Sequence, residues 1–222
     1  MAIDAALFDL DGTLIDSTDL IARAMESTLA AHGHTASHEV VAASIGPPML
    51  EVVSRLTGAG DRAAREIFEG YLERYEAQAA EAPAMPGAVE LLDRLQDEGV
   101  TLAVVTNKHQ RSARAAIEAL GWGDYFEAVC TVDAVPRPKP YPDLAQHALR
   151  QLGASPADAA IVGDSELDMA CGRNAGLARR VGMTFSRAHF QLVAAGATHT
   201  CDTLAEVEAA LLADNNGASS QA

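Results

Sequence analysis

The sequence predicts an α/β protein: a doubly wound parallel sheet interrupted by one long helical insertion. Two observations carry this expectation. Short apolar runs ending in polar residues alternate with amphipathic stretches closed by glycine, which is the pattern of a parallel sheet with helical crossovers. One segment, 16–83, breaks the alternation and is far too long for a simple loop.

In chain order, Ile3 to Phe8 is an apolar run ending at Asp9 and reads as a buried strand. Ser17 to Ala31 carries Leu20, Ile21, Ala24, Met25 and Leu29 at helical spacing, with Asp16 or Ser17 as N-cap and Gly33 as stop. Met49 to Leu56 and Ala63 to Ala80 read as further helices, and Pro83 and Pro86 mark the return to the sheet. The regular beat then begins. Gly87 to Glu98 is a helix stopped by Gly99, and Val100 to Val105 is a strand ending at Thr106 and Asn107. Gln110 to Leu120 is a helix closed by Gly121, Phe126 to Cys130 a strand, and Asp143 to Leu152 a helix closed by Gly153. Ala159 to Val162 is a strand ending at Gly163 and Asp164, Asp168 to Ala175 a short helix, and Leu177 to Gly182 a strand. The last residues, 214–222, are small and polar and are expected to fray.

A chain of 222 residues has room for one α/β domain with an insertion, or for two small domains. Its 49% apolar and 21% charged residues exclude a disordered or fibrous chain. The formal net charge of −15 opposes nucleic acid and anionic membranes as partners, although a local cation or metal ion can still dominate a site. Three cysteines without CxxC spacing indicate neither a disulfide framework nor a zinc knuckle, which fits a reducing compartment. No basic leader and no run of about 18 apolar residues is present, so the expected location is cytoplasmic. Neither GxGxxG nor GxxxxGK[ST] occurs, so no sequence signal supports a dinucleotide or P-loop site. The sequence carries no signature of oligomeric state.

Four polar clusters fall at predicted strand ends: Asp9-Leu10-Asp11-Gly12-Thr13, Thr106-Asn107, Lys139, and Gly163-Asp164-Ser165 with Asp168. In an open α/β sheet that edge binds ligands. Asp9 and Asp11 lie two apart, so an extended segment would bring two like charges together, which a cation or proton must offset. With Asp164 and Asp168 the set is rich in hard oxygen donors and suits Mg²⁺. A lone Asp here would read as a cap or turn residue; four converging ones point to a site. Thr106 and Asn107 could cradle an anion with hydroxyl and backbone N–H groups, or simply cap a helix. Lys139, between Pro138 and Pro140, is either a stiffened anion-gripping ammonium or part of a proline-rich turn. His32, His34 and His38 read as a solvated connection, Arg111 and Arg114 as an exposed helix face, and Trp122 and Tyr125 as packing at a turn.

The ordered strings Phe8-Asp9-Leu10-Asp11-Gly12-Thr13-Leu14, Thr106-Asn107-Lys108, Lys139-Pro140 and Gly163-Asp164-Ser165-Glu166-Leu167-Asp168-Met169 resemble the four motifs of the haloacid dehalogenase superfamily. The resemblance spans nearly the whole chain. Ile45-Gly46-Pro47-Pro48, Gly172-Arg173-Asn174-Ala175-Gly176 and Ala195-Gly196-Ala197 are similar to the phosphoglycolate phosphatase-like group. The resemblance implies a Rossmann-like core over 1–15 and 84–213, with 16–83 as a helical C1 cap. It implies Asp9 as nucleophile and Asp11 as general acid and then base, with Mg²⁺ held by the Asp9 carboxylate, the Asp11 carbonyl and Asp164. Thr106, the Asn107 backbone and Lys139 would hold the transferring oxygens, Gly12 and Thr13 would shape the loop, and Ser165 and Asp168 would support from behind. The implied activity is hydrolysis of a small phosphorylated substrate, with Gly46 and Pro47 facing it from the cap. A β-phosphoglucomutase-like reaction is the alternative, with Arg55 and Arg62 as candidates for gripping a second phosphate. A non-catalytic binding protein on the same fold is a weaker rival, because all four motifs are intact.

Overall fold

The computed structural model describes residues 3–185 and 187–213; the expected frayed tail, 214–222, lies outside the described residues. The chain opens with β1 (Ala5–Phe8), whose four residues are all buried. Four inserted helices follow: α1 (Thr18–Ala31), α2 (His38–Ala42), α3 (Met49–Thr57) and α4 (Asp61–Gln78). Then come α5 (Ala88–Asp97), β2 (Thr101–Val105), α6 (Gln110–Ala119), β3 (Ala128–Cys130) and α7 (Asp143–Leu152). The chain continues through β4 (Ala159–Gly163), α8 (Glu166–Ala175), β5 (Arg179–Met183), α9 (His189–Ala195), β6 (His199–Cys201) and α10 (Leu204–Leu212).

The six strands form one sheet in the order β3-β2-β1-β4-β5-β6, and every pairing is parallel. The predicted fold class is therefore the observed one. Because strand side chains alternate, each central strand feeds two cores. Phe8, Val104 and Val162 point into one, with Leu91 and Leu92 of α5, Ala116 of α6 and Val207 of α10. Leu7, Val105 and Ile161 point into the other, with Leu144 and Ala148 of α7 and Cys171 of α8. The strand order reverses between β1 and β4, and such a switch point leaves a crevice beyond the carboxyl ends of the strands. Phe8 pairs with Val162 there, and the Asp9 N–H donates to the Val162 carbonyl at 3.0 Å.

The inserted helices pack on one another through Ile21, Met25 and Leu29 of α1 and Ile67, Leu72 and Tyr75 of α4. Their two connections run side by side: the Asp16 N–H donates to the Pro83 carbonyl at 2.9 Å and the Met85 N–H to the Leu14 carbonyl at 2.8 Å. Among the described residues no helix is long and apolar enough to cross a membrane.

The structure corrects several local expectations. α2 replaces part of the solvated connection expected around His32, His34 and His38, anchored by its buried Val41. Ser17 precedes α1 but makes no side-chain cap; its hydroxyl donates to Asp11 instead. α8 starts at Glu166 rather than Asp168 because Ser165 and Asp168 form a capping box. Trp122 is buried, as a packing residue should be.

The close fit of helix on sheet is sharpest at Gly172 of α8, where a Cβ would lie 2.4 Å from Ile161 Cγ2 of β4. Gly172→Ala is expected to destabilise the protein by about 1–3 kcal/mol through overpacking. Urea denaturation checks this; an unchanged midpoint would mean that α8 shifts freely on the sheet.

Candidate active site

Asp9, Asp164 and Asp168 each offer a carboxylate oxygen within 4.8 Å of the others. Asp9 follows β1 and Asp164 follows β4, so the two neighbouring strands at the switch point deliver them to one crevice. Close approach is built into the backbone. Gly12 holds φ +78°, a conformation that favours glycine, and a Cβ on it would lie 2.7 Å from Asp164 Oδ2. Thr13, fully buried, turns the loop beneath, its N–H donating to the Leu10 carbonyl at 3.2 Å.

Lys139 is the positive centre of this cluster. Its buried ammonium lies 2.6 Å from Asp168 Oδ1 and 3.0 Å from Asp9 Oδ1, and it donates to the Val105 carbonyl at 3.1 Å. Burial alone would lower its pKa, but Asp168 and Asp9 outweigh that and hold it above the ordinary lysine value. Asp168 is saturated, since its Oδ2 also accepts from the Ser165 N–H at 3.1 Å and the Ser165 hydroxyl at 2.5 Å. Asp9 is not. Its buried Oδ1 lies near Lys139 but off the hydrogen-bonding direction, and it has no hydrogen-bond donor. Burial pushes the Asp9 carboxyl up to about 7; Lys139 opposes the rise, and Asp168, Asp164 and Asp11 add to it. A cation beside Asp9 would favour its ionised form.

The expected contiguity of Asp9 and Asp11 needs correction. Asp11 lies past the strand in a turn, and its carboxylate takes the Lys108 ammonium at 2.8 and 2.9 Å and the Ser17 hydroxyl at 2.5 Å. It is not one of the three clustered carboxylates. α6 starts at Gln110 as read from the sequence, but its N-cap is His109, so Thr106 and Asn107 do not cap it. Thr106 Oγ1 accepts the Lys108 N–H at 3.2 Å, which leaves its own proton to donate elsewhere. The Asn107 side chain is committed to the framework, accepting from the Lys139 N–H at 2.8 Å and donating to the Lys139 and Gly46 carbonyls at 3.2 and 3.0 Å.

The family model for haloacid dehalogenase-like hydrolases matches residues 6–181. The chain belongs to this family. A phosphoglycolate phosphatase of Rhodobacter capsulatus is 35% identical over 179 residues, covering 78% of this chain and 81% of that protein. The pyrophosphatase PpaX of Bacillus velezensis is 33% identical over 183 residues, covering 78% and 80%. Among solved structures, CbbY from Rhodobacter sphaeroides in complex with phosphate superposes with a TM-score of 0.82 at 28% identity, covering 92% of this chain and 96% of that one.

In this haloacid dehalogenase-like hydrolase the inserted helices close over the cluster. A cavity of about 40 Å³ is bounded by Asp9, Asp11, Thr106, Asn107 and Lys108 below, and by Ile45, Gly46, Pro47, Met49 and Phe68 above. Gly46 and Pro47 therefore face the carboxylates. Arg55 and Arg62 line no part of the cavity: both are exposed, and Arg62 pairs with Glu66 at 3.1 Å. A groove of about 410 Å³ adjoins the cavity and shares Met49, Phe68, Asn107 and His109 with it. Sequence reasoning left Lys108 without a role, gave Ser17 only that of a cap, and read Arg111 as part of an exposed helix face. Arg111 is exposed and also bridges α6 to α4, reaching Glu69 at 2.7 Å and Glu76 at 2.8 Å. Phe68 also meets the His109 ring edge-on at 5.5 Å. An unassigned Lys directly after Thr-Asn was the one available signal for Lys108.

Because Lys139 and Asp168 are buried together, removing one leaves the other stranded. Lys139→Met is expected to cost about 3–5 kcal/mol of stability. Chemical denaturation checks this, and a loss below about 1 kcal/mol would show that water reaches the pair.

Proposed function

We propose that the protein is a Mg²⁺-dependent phosphatase that hydrolyses a small phosphomonoester through a phosphoryl group carried on Asp9. The observation that carries the reading is the buried Asp9 oxygen without a hydrogen-bond donor, facing two further carboxylates at the sheet's switch point. The family, and the relatives named as phosphatases, support it.

The donor set fits the metal: three clustered hard-oxygen donors, with one buried Asp9 oxygen lacking a hydrogen bond. The Asp9 carboxylate, the Asp11 backbone carbonyl and Asp164 would hold Mg²⁺. When bound, the ion would neutralise charge on the carboxylates and on the transferring phosphoryl oxygens.

In the first half-reaction an Asp9 oxygen attacks phosphorus while the bond to the ester oxygen breaks. Asp11, protonated, gives its proton to that leaving oxygen and the alcohol departs. In the second, water attacks the phosphorus of the acyl phosphate and gives its proton to Asp11. The bond to Asp9 breaks, and inorganic phosphate leaves. The Lys139 ammonium, the Thr106 hydroxyl and the Asn107 N–H would hold the non-bridging oxygens, where charge stabilisation matters most. Asp168 and Ser165 fix Lys139 from behind, and Gly12 and Thr13 set the loop.

Residues 16–83 serve as a cap on a core formed by 1–15 and 84–213. A water takes about 10–15 Å³ of such space, so the closed cavity admits a few waters but no ester. The cap therefore lifts to admit substrate, and its closure shields the acyl phosphate from solvent. The substrate is small, with its leaving group directed past Met49 and Phe68. The positions of Arg55 and Arg62 give the mutase alternative no grip on a second phosphate.

Phosphate release from an aryl phosphate with Mg²⁺ tests the reading. Activity is expected to fall to background with EDTA and in Asp9→Asn; activity that survives either would overturn it. In a panel of esters, Met49→Ala is expected to change relative kcat/KM by about tenfold or more while sparing a small aryl phosphate, since one lost hydrophobic contact is worth about 1–3 kcal/mol. A common factor across the panel would remove Met49 from specificity.

A further inference from the structure

Lys108 joins three separate segments. It lies in the loop after β2, its side chain is 4% exposed, and its ammonium reaches both carboxylate oxygens of Asp11 at 2.8 and 2.9 Å. Its other neighbour is the ring of Tyr75 on α4, whose centroid lies 4.0 Å from Nζ. A desolvated ammonium over an aromatic face is held by the ring's quadrupole. The Tyr75 hydroxyl is buried without a hydrogen-bond partner, and the face of its ring lies against Lys108. The inserted segment thus reaches Asp11 in two ways, directly through the Ser17 hydroxyl and from α4 through Lys108.

We propose that Lys108 is a positioning residue for Asp11, which the Tyr75 ring holds in place only when the inserted helices close over the site. The inference rests on the phosphatase reading above, in which Asp11 handles the leaving-group proton.

Two donors, Lys108 and Ser17, fix the Asp11 carboxyl plane, and the ring overhead removes the space into which the ammonium could swing. As Asp11 gives its proton to the leaving oxygen, the charge that develops on the carboxylate lies beside a fixed cation. When α4 lifts, the ring withdraws, Lys108 meets water, and Asp11 loses the brace. Leaving-group protonation is thereby confined to the closed state, where the acyl phosphate is shielded.

The test compares two substrates under Mg²⁺: an alkyl phosphate, whose leaving oxygen needs a proton, and 2,4-dinitrophenyl phosphate, whose leaving group departs without one. Lys108→Met keeps the aliphatic stem and removes the charge. It is expected to lower kcat for the alkyl ester at least tenfold more than for the dinitrophenyl ester, and to add no further loss in an Asp11→Asn background. Tyr75→Leu is expected to shift the same ratio in the same direction, and Tyr75→Phe, which keeps the ring, to restore it. If Lys108→Met does not fold, the Tyr75→Leu and Tyr75→Phe pair makes the same comparison. An equal loss on both esters, or an additive loss in Asp11→Asn, overturns the positioning role while leaving the phosphatase reading intact. Absence of Asp9-dependent phosphate release from the unmodified protein overturns both.

Discussion

The structure depends on one electrostatic constraint: three carboxylates crowd around one buried ammonium where the strand order reverses. Like charges in a dry site disfavour ionisation, and Asp9 shows this in a carboxyl displaced to about 7, chiefly by burial. Every nearby device answers that problem. Lys139 supplies the counter-charge, Ser165 and the start of α8 fill the remaining lone pairs of Asp168, and Asn107 pins the backbone from which Lys139 projects. What stays without a hydrogen bond is one oxygen of Asp9, where the proposed chemistry is aimed.

Compactness in the site comes from missing side chains as much as from charged ones. A methyl group at Gly12 would strike Asp164, so the two acidic loops approach closely because glycine stands at that turn, and one at Gly163, the end of β4, would strike Asp168 within its own loop. The Ser165–Asp168 capping box serves two ends, starting α8 and orienting the carboxylate that grips Lys139. Helix formation and site geometry are thus the same set of hydrogen bonds.

Much of this was legible in the sequence because both its signals are local. Strand ends followed by Asp, Thr or Gly announce themselves, and the Asp143–Leu152 helix matches its reading to the residue. Edge elements were not legible. β6 has three residues and two of them are not buried, so no apolar run marks it, and α9 and α10 beside it also carried no assignment. Contacts between distant segments were equally hidden. Arg111 looks like any solvated helix residue until α4 brings Glu69 and Glu76 against it, and the spacing of Asp9 and Asp11 gives no hint that Asp11 turns aside to Lys108. Spacing fixes direction within one element, whereas these partners are chosen by tertiary packing.

The two connections of the inserted helices lie side by side, joined by backbone hydrogen bonds from Asp16 to Pro83 and from Met85 to Leu14. A segment whose ends already touch behaves as a plug-in module: the entropy of closing it grows only logarithmically with its length. Lengthening or rebuilding it leaves the strand order and register of the sheet unaltered, because no sheet hydrogen bond passes through it. In the proposed reading, substrate choice rests chiefly on this replaceable stretch of chain, while most of the reacting groups stay at the edge of the sheet. One scaffold of this kind can acquire a new diet without relearning how to cut a phosphate ester.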